Sequence, residues 1–157
     1  MSMSKLVRTT ADLLFPFILV FGFYIVLHGH LTPGGGFQGG AVIATGFILL
    51  YVAYKVEAIT AFFSKKFLQN SEILGLCLFS GIALIGIGIG TSFLMNYLVG
   101  TGSLFGQAVP FGSNSGFLNT AGIIPILNIA VGFEVLGGLS IILLYMTNGI
   151  RMTEETE

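Results

Sequence analysis

An all-α membrane protein is the fold class this sequence predicts: four transmembrane helices, with a short interfacial amphipathic helix between the second and third. Three observations carry that prediction. Only 8% of the 157 residues are charged while 54% are hydrophobic, against about 25% charged in an ordinary soluble domain. Mean hydropathy is +0.95, more apolar than a water-facing surface could cover. Four apolar runs approach the ~20 residues that cross a bilayer core. The whole chain, 1–157, reads as a single transmembrane domain.

Met1 to Asp12 is a short polar entry bearing Lys5 and Arg8. The first span runs from about Leu13 to His28, with Pro16 in its opening turn, where a missing N–H costs little. No small-residue cleavage site follows the basic entry, so this run reads as a span and not as a cleaved leader. Next comes His28–Gly40, HGHLTPGGGFQGG, with both histidines, one of four prolines and six of the 23 glycines. After Pro33, the run Gly34, Gly35 and Gly36 predicts a tight turn, the tip of a membrane hairpin. The second span is Phe37 to Tyr54.

Lys55 to Leu68 differs. Val56, Ile59, Phe63 and Phe67 fall on one helical face, with Glu57, Thr60, Ser64 and Lys65 elsewhere. This pattern predicts an amphipathic helix at the interface, held by Lys65 and Lys66; a solvated connector is the other reading of the same residues. Glu72 opens the third span, Ile73 to Tyr97, in which Gly86 and Gly90 form a small-xxx-small pair suited to helix packing. Val99 to Thr120 is an uncharged Gly/Ser/Asn loop in which Leu104, Phe105, Val109, Phe111 and Phe117 recur. It is expected to fold onto the membrane face or against another subunit. The fourth span, Ile123 to Met146, precedes Arg151 and an acidic tail. No internal repeat stands out between the two hairpins.

Four spans place both termini on one side. All six basic residues (Lys5, Arg8, Lys55, Lys65, Lys66 and Arg151) fall on that side. The positive-inside rule makes it cytoplasmic, in the plasma membrane, with the glycine turn facing out.

Glu134, near the middle of the fourth span, is the foremost candidate for chemistry. No residue from Ile73 to Phe133 is charged, and a carboxylate at bilayer depth costs a few kcal/mol. Ala130, Gly137 and Gly138 share its face, a helix-packing surface. Arg151 is seventeen positions on, roughly 25 Å along a helix. Glu134 is therefore protonated or paired with a cation from outside this chain. Two readings stand: a proton or cation relay shared with a partner, or a protonated packing residue. Asn128 is a buried amide that wants a partner, as an ion-path residue or as helix glue.

His28 and His30, two apart, point to different helix faces without a nearby Cys or carboxylate, so no metal site is expected. One imidazole is expected to bond carbonyls at the end of the first helix; a proton-relay role stays open. PGGGFQGG lacks the lysine of a phosphate loop, and its backbone N–H groups and Gln38 read as contacts for a neighbouring chain. Asp12 reads as a favourable charge at a helix start. The lone Cys77 supports neither a disulfide framework nor a cluster, no cofactor is expected, and a net charge of −1 argues against nucleic acid as a partner.

Leu14–Gly40, LFPFILVFGFYIVLHGHLTPGGGFQGG, closely resembles the signature of the MnhB family, small membrane components of Mrp-type multisubunit cation/proton antiporters. The shared core is matched by Gly29, His30, Pro33, Gly34, Gly35, Gly36, Phe37, Gly39 and Gly40. The resemblance implies a small, non-enzymatic subunit among antiporter-like and other small Mrp-type subunits, handling Na+ and H+. It extends to related modules of archaeal membrane-bound hydrogenases and sulfur-reducing relatives. In the fourth span Asn128-Ile129-Ala130-Val131 replaces a D-L-G-V-like stretch of the bacterial pattern, which points to the archaeal type. The competing reading is an architectural subunit without its own ion site. A stand-alone exporter like the small multidrug-resistance proteins ranks last: the first span has no acid past Asp12, and the chain has no tryptophan.

Overall fold

The computed structural model describes residues 3–54, 59, 64–111 and 116–154, with side chains as far as Met146. Four helices are long and apolar enough to cross a membrane: α1 (Lys5–His28), α2 (Gly36–Ala53), α3 (Lys65–Gly88) and α4 (Ile124–Glu154). The four predicted spans are all present, with shifted ends.

Helix α1 starts about two turns before its apolar run because Ser4 caps it, its Oγ accepting the Val7 N–H at 3.4 Å. Thr9 and Thr10 turn their hydroxyls onto the carbonyls of Lys5 and Leu6, both at 3.0 Å. Pro16 therefore sits inside the helix and not in its opening turn, and the Asp12 carbonyl forgoes its helical N–H. Asp12 does more than favour a helix start: its carboxylate accepts the Tyr54 phenol at 2.6 Å, tying α1 to the end of α2.

Helix α3 begins at Lys65 after Ser64, whose Oγ accepts the Phe67 N–H at 3.2 Å. The interfacial helix expected over Lys55–Leu68 lies mostly outside the described residues. Its last four positions form the first turn of α3, where Lys65 Nζ stands 4.3 Å over the Tyr145 ring and Leu68 is fully buried. Glu72 accordingly lies two turns inside α3 instead of opening it.

The third helix also stops early, at Gly88 and not Tyr97. Gly90 adopts φ +82°, and its N–H bonds the Ile87 carbonyl while that of Thr91 bonds Gly86, both at 3.0 Å. This is the hydrogen-bond pattern of a left-handed helix stop. The expected Gly86–Gly90 packing pair is thereby corrected. A methyl on Gly86 would meet the Ser92 carbonyl at 2.6 Å, so Gly86 admits the returning chain, while Gly90 has open space around it.

Among the described residues the helices form a row, α1–α2–α4–α3, in which α1 also touches α4 and α3 packs substantially against α4 alone. α1 and α2 are antiparallel, with Gly22 against Gly39 and Phe15 edge-on to Phe47 at 5.7 Å between ring centroids. α2 and α4 run parallel: Gly36 abuts Asn128 and Val131, and Gly40 abuts Gly132 and Val135. α3 and α4 are antiparallel, Gly75 on Glu134 and Gly137 on Glu72. These directions put both chain ends at one end of the row, and the glycine turn and the α3–α4 loop at the other.

That loop is folded, not slack. Asn96 accepts the Ile123 N–H at 3.0 Å and donates to the Ala121 carbonyl at 2.9 Å, while Gly122 N–H reaches Phe105 O at 2.7 Å. It leaves Leu104, Val109, Phe111 and Phe117 exposed.

Candidate functional site

Two places gather the residues that sequence reasoning singled out. At the turn end, α1 closes at His28, whose carbonyl accepts the N–H groups of Leu31 at 2.8 Å and Thr32 at 3.0 Å. Gly34 takes φ +120°, a value open in practice only to glycine. α2 then starts with a cap in which Gln38 Oε1 accepts the Gly35 N–H at 2.9 Å.

The turn is folded around one α4 side chain. A methyl on Gly29 would meet Asn128 Nδ2 at 2.8 Å, one on Gly35 would meet Asn128 Oδ1 at 3.0 Å, and one on Gly36 would run into the Asn128 carbonyl. Asn128 Oδ1 accepts the Gly36 N–H at 3.5 Å. Its Nδ2 is buried without a partner among the described residues. The motif glycines thus divide their work: Gly29, Gly35 and Gly36 enclose Asn128, Gly40 faces α4 and Gly39 faces α1. Phe37 points outward, 59% exposed.

The two histidines take different partners. His28 stacks on Tyr24 at 4.1 Å and its Nδ1 bonds the Tyr24 carbonyl at 3.1 Å. His30 lies in the turn, donates from Nε2 to the Leu118 carbonyl of the long loop at 3.2 Å, and stands edge-on to Phe105. Burial holds its imidazole below the usual pKa, outweighing the Leu118 hydrogen bond, which acts the other way.

The second place is the α3–α4 seam. A methyl on Gly75 would lie 2.6 Å from the Glu134 nitrogen and 2.9 Å from its Cβ. On Gly137 it would lie 2.8 Å from the Glu72 nitrogen and 3.0 Å from its Cβ. Each acid rides over the glycine that follows the other by three positions, which sets the two about one turn apart in depth. Gly138 faces Glu72 Oε1, 3.5 Å from where its Cβ would be. Ser71 donates to the Phe133 carbonyl at 2.9 Å, closing the seam beside them. Both acids are half-buried.

Glu72 is the site residue that sequence reasoning missed. The signal was present: Glu72-Ile73-Leu74-Gly75 echoes Glu134-Val135-Leu136-Gly137. Placed on antiparallel helices, that repeat produces the reciprocal seating. Asn128 stands six residues before Glu134, about 9 Å along the axis. Among the described residues no group of three His, Cys, Asp or Glu could hold a metal ion.

Residues 6–141 match a family model described as a domain related to the MnhB subunit of a Na+/H+ antiporter. The chain belongs to the MnhB family. An uncharacterized protein of Methanocaldococcus jannaschii is 42% identical over 123 residues, covering 78% of this chain and 44% of that protein. A Staphylococcus aureus protein named as an antiporter subunit is 37% identical over 90 residues, 57% of this chain and 63% of its own. Among solved structures, a chain of the membrane-bound sulfane sulfur reductase, an archaeal respiratory membrane complex, superposes with a TM-score of 0.72. It is 38% identical, with 91% of this chain and 57% of that chain covered. This MnhB-family chain therefore spans between 44% and 63% of the length of these relatives.

Proposed function

We propose that this chain is a small integral subunit of a multisubunit monovalent cation/proton antiporter module, lining part of a Na+/H+ path with neighbouring subunits. The observation that carries this reading is the reciprocal seating of Glu72 and Glu134 in the α3–α4 seam. Two acidic side chains seated in one helix seam at membrane depth offer carboxyl oxygens to a proton or to a monovalent cation. No basic residue of the chain lies between them in sequence. A proton and a monovalent cation would occupy the same carboxyl oxygens, so the two compete for the site. That competition is the chemistry exchange requires.

On this reading Asn128, His28 and His30 serve the turn, and the path runs through the two acids. The chain carries no catalytic step of its own. Its basic residues put both termini in the cytoplasm, and its partners are the antiporter-like and small subunits of the same complex.

A second reading, an architectural subunit of an antiporter-containing respiratory complex, is favoured by the similarity to the sulfane sulfur reductase chain. One experiment separates the two. Glu134→Gln and Glu72→Gln are placed in the assembled complex, and Na+-dependent proton movement is followed in inverted vesicles. Loss of at least about tenfold in either variant, with assembly intact, supports the ion path. Unchanged transport in both removes the acids from the mechanism and leaves the architectural role.

A further inference from the structure

The turn and the long loop meet through one imidazole, and its second nitrogen has nowhere to put a proton. His30 donates from Nε2 to the Leu118 carbonyl, 88 positions away, so the neutral ring carries its proton there and Nδ1 is bare. Nδ1 is buried and has no partner among the described residues. Between Glu72 and Glu134 the sequence has no charged residue and no second histidine, so neither the loop nor the start of α4 offers a carboxylate to a charged ring. From α1 the titratable neighbour is His28, whose charge would oppose a charge on His30; at the start of α2 the polar side chain is the neutral Gln38, which accepts the Gly35 N–H.

We propose that His30 is an acid-released latch: neutral, it holds the glycine turn to the α3–α4 loop through Leu118 and Phe105, and a second proton frees the loop. The proton at Nδ1 would be a buried donor without an acceptor, an unfavourable state even before the charge is counted. Freeing the loop brings both nitrogens to water. The sign is consistent with the lowered pKa of His30. A group depressed on folding contributes stability above its unfolded value of 6.5, and that contribution is lost as pH falls through the folded value. With the turn facing out, the latch responds to the medium and not to the cytoplasm. It does not depend on the ion path through Glu72 and Glu134.

The test uses the full chain in its native membrane complex, with Cys77→Ser removing the exposed native thiol. Thr120→Cys places a reporter at a site 2% exposed, two residues past Leu118. Labelling by an impermeant maleimide is normalised at each pH to the same chain unfolded, which removes the thiol's own ionisation. The normalised rate should rise about fivefold or more from about pH 8 to about pH 5. His30→Gln keeps a donor for Leu118 but does not titrate, so labelling should stay slow and flat; His30→Ala should label fast throughout. A flat profile with native His30, or a pH step that survives in His30→Gln, overturns the latch. Should the cysteine variant fail to fold, the chain's two histidines can be followed by NMR. One imidazole, lost in His30→Gln, must then titrate below 6.5, and titration at or above that value equally overturns the proposal.

Discussion

At the scale of single residues, glycine matters here for where it lets neighbouring backbones go. Gly36 is the sharpest case: its missing side chain is the space that Asn128 and Val131 of α4 occupy. Gly36→Ala should destabilise the chain by about 1–3 kcal/mol, the ordinary cost of overpacking, because its main obstacle is backbone and cannot rotate away. Gly81, also helical, has nothing within 4 Å of its would-be Cβ. Gly81→Ala should be neutral, or stabilising by up to about 1 kcal/mol through helix propensity. Denaturant unfolding of the two variants side by side measures the difference. Equal stabilities would mean that the turn does not hold α2 against α4.

At the scale of elements, the α3–α4 seam is exposed to failure because α3 has no second strong neighbour among the described residues. Gly75→Ala and Gly137→Ala each push the helices apart at a point where backbone atoms lie within 2.6 Å of the new carbon. Each should cost about 1–3 kcal/mol. Their effects should not add: once one methyl has displaced α3, the second enters a gap already opened. A double-mutant cycle by chemical unfolding should return a coupling of about 0.5 kcal/mol or more. Strict additivity would show that the two Glu–Gly contacts act independently and are not one seam.

At the scale of the whole molecule, a row of four helices leaves large apolar side chains exposed among the described residues. Phe17, Val20 and Phe23 of α1, Leu84 and Ile85 of α3, and Leu104 and Phe117 of the loop are all substantially exposed. Lipid suits such a surface along the spans, but the half-buried acids and the aromatic loop call for protein neighbours. Tagged chain extracted in mild detergent should therefore emerge in an assembly many times its own 16.7 kDa. Recovery as an isolated monomer or homodimer would contradict membership in a multisubunit module.

Solvent class, number of spans and the place of the glycine turn were legible in the sequence. Each depends on the composition of about twenty consecutive residues, and a bilayer selects such segments without reference to their neighbours. The MnhB signature was equally local, running from Gly29 to Gly40. Helix ends were less legible, because hydropathy does not register a Ser4 cap that starts α1 inside a polar entry. Nor does it register one left-handed glycine that stops α3 at Gly88 while the apolar run continues. What only the tertiary structure decided is pairing. Asn128 fills the turn from 92 positions away, and Glu72 faces the helix of Glu134 across the whole α3–α4 loop. The order of the row sets both. That order arises from which glycine-thinned faces can approach closely enough to exclude side chains, a property of two surfaces together that neither stretch of sequence carries alone.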